Sequence, residues 1–143
     1  MQNFDLLERV ANLGKPILLK RGMAATLEEF LLAAEYILNR GNPNVVLCER
    51  GIRTFETSSR NILDLNTLAI IQQESHLPII ADPSHAAGRA DIVGVLGIAA
   101  LSAGAKGLII EVHDKPEEAL SDGKQSMTTA DFGLFMKHIY TKF

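Results

Sequence analysis

The chain has 143 residues, 47% hydrophobic and 22% charged, with a formal net charge of -3, which is the make-up of one soluble domain long enough to bury its own core. Its single cysteine, Cys48, excludes an internal disulfide framework and the paired-cysteine zinc motifs. The mildly acidic balance gives no general field for nucleic acid, and the longest apolar stretch, 92–101, is too short for a membrane span. The start MQNFDLLERV lacks the pattern of a secretory signal, so a cytoplasmic protein with no nucleic-acid or membrane partner is expected.

Residues 3–13 open the chain as a short amphipathic helix through Phe4, Leu7 and Val10, ended at Gly14. The apolar run PILLK (16–20) follows as a strand. Thr26 and Glu29 then form a capping-box pattern ahead of Leu27, Phe30, Leu31, Ala34, Ile37 and Leu38, which share one helical face. Gly41 stops that helix, and Asn42-Pro43 turns the chain into a second strand, NVVLCE (44–49). A helix over 64–75, a strand LPIIAD (77–82), a small-residue helix over 89–103 and a strand GLIIEV (107–112) come next. Thr128 and Asp131 cap a final helix carrying Phe132, Phe135, Met136 and Ile139.

The order is α-β-α-β-α-β-α-β-α, with four fully buried parallel strands expected at intervals of roughly 30 residues, the size of one β/α unit. Eight such units close a barrel, and here there are four behind a leading helix. The expected fold is therefore α/β, half of a (β/α)8 barrel, forming one domain over 1–143 with its strands in sequential order.

Polar chemistry ends every strand: Lys20-Arg21-Gly22, Glu49-Arg50-Gly51, Asp82-Pro83-Ser84-His85 and Glu111-Val112-His113. In a barrel these positions face one opening, whereas a doubly wound sheet binds mainly at one switch point, so four reactive ends favour the barrel. Lys20 and Arg50, abutting strands, suit a phosphate or carboxylate; Arg21 and Arg53 are weaker candidates for the same task, and all four have the ordinary reading of solvated loop charges. His85, Glu111 and Asp122, the last in a Ser-Asp-Gly turn, form a mixed nitrogen and oxygen set suited to a divalent transition metal. His113 is a candidate partner behind that set, His76 and His138 read as structural, and Cys48 reads as a small buried hydrophobe.

Together GKPILLKRG, NVVLCERGIRTFE, LPIIADPSHAAG and GLIIEVHDKPEEALSDGKQS strongly resemble the type I, short-chain microbial 3-deoxy-D-arabino-heptulosonate 7-phosphate (DAHP) synthases. The resemblance runs along the whole chain but covers only the C-terminal half of that family's barrel. It implies strands five to eight, and a transferase that condenses phosphoenolpyruvate with erythrose 4-phosphate at the head of the shikimate pathway to aromatic amino acids. By motif it implies that Lys20 and Arg50, with Arg21 and Arg53 beside them, bind substrate. His85, Glu111 and Asp122 would hold a divalent ion of the Mn, Fe, Co or Zn class, and Lys20 and His85 would be catalytic. The family's fourth metal ligand is a cysteine near its first strands, which Cys48 does not match by motif. Its erythrose 4-phosphate loop and one upstream arginine are not in these 143 residues. The expected partners are the two substrates, and either a second copy of the chain or an N-terminal half that completes the barrel. The related 3-deoxy-octulosonate 8-phosphate synthase, and a catalytically silent half-barrel with an assembly or regulatory role, are the alternative readings.

Overall fold

The computed structural model describes residues 1–142. Helix α1 (Phe4–Ala11) leads into strand β1 (Ile17–Lys20), helix α2 (Leu27–Leu38) and strand β2 (Val45–Glu49). Helix α3 (Leu65–Glu74) and strand β3 (Ile79–Ala81) follow. The three strands pair in parallel in the order β1-β2-β3, with Leu19 opposite Leu47 and Leu47 opposite Ile79. Sequential order with a helix in each crossover is the β/α-barrel pattern, so the α/β class read from spacing stands.

The helices form where the caps place them. Thr26 accepts from the Glu29 N–H at 3.1 Å while the Glu29 carboxylate accepts from the Thr26 N–H at 2.8 Å, closing the expected capping box. Asn3 and Asp64 cap α1 and α3 by accepting from the Leu6 and Thr67 N–H groups. Past α2, the buried Asn42 side chain donates to the carbonyl of Lys15 at 2.9 Å, tying the end of this crossover to the entry of β1.

Side-chain alternation divides the sheet. Leu19, Val45, Leu47, Ile79 and Ala81 face the helices and are buried among Phe30, Ile37, Leu68 and Ile71. On the other face Val46 and Ile80 are half-buried and Leu18 is 42% exposed, so this face is only partly covered. The expectation of four fully buried strands is corrected accordingly: it holds for the helix-facing residues other than Ile17, and for Cys48 on the opposite face.

The expected fourth strand is also different. Residues 106–109 run beside β3 through Lys106 N–H to Ile79 O at 2.8 Å and Ile109 N–H to Ala81 O at 2.9 Å, but form a single bridge, Ala81 with Leu108. No longer ladder can form, because β3 ends at Ala81 and the chain turns at once into helix α4 (Pro83–Ala87). The segment then continues to β4 (Val112–His113), which pairs in parallel with β5 (Met127–Thr128). Between α4 and that pair lies helix α5 (Val93–Ser102), and helix α6 (Thr129–Lys142) follows it. Val93, Met127 and Phe135 form a second small core there. No described helix is long and apolar enough to cross a membrane.

Candidate active site at the strand ends

The alternation that sorts the sheet also sorts its terminal charges. Lys20 lies opposite Cys48, on the face away from the helices, while Arg21 falls on the helix side with Leu19. Two adjacent basic residues therefore reach different surroundings.

Lys20 donates to Asp82 Oδ2 at 2.5 Å. The same oxygen lies 2.8 Å from His85 Nδ1, and the other Asp82 oxygen accepts from the His85 backbone N–H at 2.9 Å. Asp82 is thus the N-cap of α4 and the link between ammonium and imidazole, all on a buried carboxylate. With Nδ1 beside Asp82, the other ring nitrogen of His85 faces Asp122, 3.9 Å from Oδ2; Glu111 Oε1 is 3.8 Å from Nδ1. Ser84, buried at the start of α4, accepts from the Glu111 N–H at 3.0 Å and so sets the chain direction at that residue. The turn that carries Asp122 is tight: its φ is 56°, the one positive value at a non-glycine among the described residues.

Arg21 is buried. Its Nη1 donates to Glu49 Oε2 at 2.9 Å, Asp64 Oδ2 at 3.0 Å and Thr67 Oγ1 at 2.9 Å, and Nε donates to Ala25 O at 3.0 Å. Burial opposes its charge, yet the hydrogen bonds with Glu49 and Asp64 outweigh that opposition and hold the guanidinium protonated. Burial also pushes Asp64 up, but its hydrogen bonds with Arg21 and Thr67 bring it below the ordinary carboxylate range. Burial dominates at Glu49 and raises its carboxyl; the bonds it accepts from Arg21 and, at 2.6 Å, from the Gly51 N–H stabilise it as a carboxylate. This network joins β1, β2 and α3, and leaves Arg21 committed to carboxylates of its own chain.

Arg50 has the opposite character. Its Nη1 is buried without a hydrogen-bond partner. Burial depresses its pKa first and the charge of Arg60 depresses it further. Arg53 is exposed; its backbone N–H donates to Met23 O at 2.7 Å, and its side chain joins none of these groups.

The structure therefore holds Lys20 and His85 on Asp82, brings Glu111 and Asp122 toward the His85 ring, keeps Arg50 within reach of the Asp82 charge, and sets Arg21 and Arg53 apart from that cluster. The strand-end motifs include Asp82 and Glu49 but give them no role, and Asp64 and Arg60 have no signal in the sequence reading. Asp82-Pro83 has the form of an N-cap followed by a proline at the first helical position, a signal lost because a five-residue helix shows no periodicity. The donor set of His85, Glu111 and Asp122 has the nitrogen and oxygen chemistry of a divalent-ion site. Among the described residues, however, no three such groups close on one point as a finished metal centre.

Parallel strands in sequential order, with cations, an imidazole and carboxylates at their C-terminal ends, define a piece of a β/α-barrel enzyme. The model of the DAHP synthetase I family matches residues 1–141, and the chain belongs to that family. It is 59% identical to the phospho-2-dehydro-3-deoxyheptonate aldolase of Thermotoga maritima, over 94% of this chain and 39% of that protein. To the 2-dehydro-3-deoxyphosphooctonate aldolase of Methylococcus capsulatus it is 32% identical, over 85% of this chain and 46% of the other. Among solved structures it matches a truncated form of 3-deoxy-D-arabino-heptulosonate 7-phosphate synthase from T. maritima. The TM-score is 0.96 and the identity 54%, covering 98% of this chain and 53% of that one. A second T. maritima DAHP synthase structure gives the same score and identity, with 41% of its chain covered. The chain thus spans about half or less of the relatives it matches.

Proposed function

We propose that this chain supplies the anion-binding and cation-binding half of a DAHP synthase site, which condenses phosphoenolpyruvate with erythrose 4-phosphate. The observation that carries the proposal is the unpartnered, buried Nη1 of Arg50 next to the Lys20–Asp82–His85 cluster. A buried cationic donor without a partner is expensive unless an anion completes it, and two phosphorylated substrates need several cations to offset their mutual repulsion. The 59% identity to the heptonate enzyme, against 32% to the octonate enzyme, favours the four-carbon aldose phosphate over the five-carbon one.

In this reading Arg50 and Lys20 bind the phosphoryl and carboxylate groups of phosphoenolpyruvate, and Asp82 holds the Lys20 ammonium at the edge of the opening. Asp82 also fixes the His85 ring so that Nε2 is turned toward Asp122. His85, Glu111 and Asp122 would hold a divalent ion of the Mn, Fe, Co or Zn class, which when bound polarises the aldehyde carbonyl. The overall condensation joins C3 of phosphoenolpyruvate to the aldehyde carbon while water adds at C2; one of its protons ends on the new C4 hydroxyl and the other on the departing phosphate, leaving a ketone at C2. Arg21 takes no part in binding and holds β1, β2 and α3 in register beneath the opening. The remaining ligand and the erythrose 4-phosphate contacts come from the portion of the barrel outside these 143 residues. The proposed setting is the cytoplasm.

Calorimetric titration tests both ligand sites separately. Inorganic phosphate binds the unaltered chain, and Arg50→Leu or Lys20→Met weakens it about tenfold; manganese binding is weakened at least about tenfold by His85→Ala. Unchanged isotherms for all three variants would remove the basis of the reading.

A further inference from the structure

Among the described residues two buried side-chain polar atoms have no partner. One is Nη1 of Arg50; the other is Nε2 of Gln125, whose side chain is almost fully buried. Arg60 joins the two sides. Its Nη1 donates to Gln125 Oε1 at 3.2 Å and lies 3.6 Å from Asp122 Oδ1. Because the amide oxygen is taken by the guanidinium, the amide nitrogen is the end left free.

The backbone places Arg60 next to Arg50. Gly51 has φ 88°, and a Cβ there would stand 2.8 Å from Asn61 Cβ and 3.0 Å from Ala86 Cα, so the residues following each arginine are in contact. Arg60 and Asn61 donate their N–H groups to Ala87 and Ala86 at 3.0 and 2.8 Å, docking the segment on α4. Arg60 keeps 46% of its side chain exposed, so its guanidinium has room for a further partner. Asp122 meets one edge of it, and among the described residues no carboxylate pairs with Arg50. The Arg60 charge is close enough to act on Arg50, and Arg60 is bonded to the Gln125 amide, so the three donors share a neighbourhood that lacks one negative charge to complete it.

We infer that Arg60 and Gln125 join Arg50 in a three-donor subsite for the phosphoryl group of a phosphate monoester. The inference rests on the proposed anion site and extends it to two residues on loops remote in sequence, 52–62 and 114–126. Guanidinium and amide N–H groups suit a tetrahedral oxyanion, and the neutral Gln125 contributes a donor without another buried charge. The subsite also ties the loop of Asp122 to the anion, since Arg60 touches both.

The test is phosphate titration of the full chain by calorimetry, with Arg60→Met, Arg60→Lys, Gln125→Leu and Gln125→Glu, each checked for an unchanged melting profile. The expected result is a loss of about tenfold in phosphate affinity for Arg60→Met and Gln125→Leu, partial rescue in Arg60→Lys and a greater loss in Gln125→Glu. A merely structural Gln125 would tolerate Leu and Glu alike where folding is intact. Competition then assigns the phosphoryl group: displacement by phosphoenolpyruvate supports the subsite, and displacement by erythrose 4-phosphate alone, or by neither ester, overturns it. Wild-type affinity in both Arg60→Met and Gln125→Leu, with Arg50→Leu impaired, overturns the subsite while leaving the anion site standing. If Arg50→Leu also binds normally, the anion site itself fails and the subsite with it.

Discussion

Lys20 and Arg21 are neighbours of like charge with different fates, and the cause is the two-residue period of a strand. Counting from Leu19, the alternation puts Arg21 on the helix side, where Glu49 lies by the same count. The sequence therefore contains the distinction, which the strand-end position alone does not show. Arg21→Met leaves Glu49 buried and unpaired and should destabilise the fold by about 3 kcal/mol in a denaturant titration. An unchanged midpoint would show the network to be dispensable. Cys48 is fully buried as expected, and burial, reinforced by Asp82, pushes its thiol from 9.0 to about 12. A raised folded pKa adds stability that is complete below the unfolded value and is lost as pH rises from 9 toward 12. Replacing Cys48 with Ala should flatten that alkaline decline in stability, and the native thiol should resist alkylation at pH 8 until the chain unfolds. Rapid alkylation of the native chain would contradict its burial.

Elements with a long period were legible and short ones were not. The capping box of α2, the apolar faces of α1 and α6 and the three paired strands all follow from patterns of at least one full repeat. Helix α4 and the pair β4 with β5 are too short to carry a period, yet they position His85 and the final loop. The approach of Glu111 and Asp122 to His85 depends on these elements, so motif could nominate the residues but not their spacing. Gly51 governs the exit of β2 toward the site through its positive φ and its contact with Asn61 and Ala86. Gly51→Ala should cost about 2 kcal/mol in stability through backbone strain and overpacking. It should also weaken phosphate binding, because Arg50 is its neighbour. Calorimetry and thermal melting on the same sample check both, and wild-type values would refute the close approach.

At the scale of the molecule the sheet is only partly covered on the face that carries Leu18, Val46 and Ile80, and among the described residues β1 has a strand partner on one side only. An apolar hollow of about 480 Å³ beside β1 is lined by Leu7, Val10, Ile17 and Leu18, and another of about 450 Å³ near α6 by Ile109, Phe132 and Met136. Unpaired apolar strand edges recruit other chains, so these 143 residues alone should self-associate. A second copy would cover the edges while duplicating Lys20, Arg50, His85, Glu111 and Asp122, without supplying the complementary half of the site. Assembly and turnover should therefore separate. The measurement that bears most directly on the central claim is phosphoenolpyruvate consumption with erythrose 4-phosphate and manganese, run alongside light scattering. It is made on the 143-residue chain alone, and after adding a separately expressed first half of the Thermotoga maritima relative. The expected outcome is an associated, inactive chain that gains turnover with the added half and loses it again in Arg50→Leu. A monodisperse monomer with robust turnover and no added half would contradict the account.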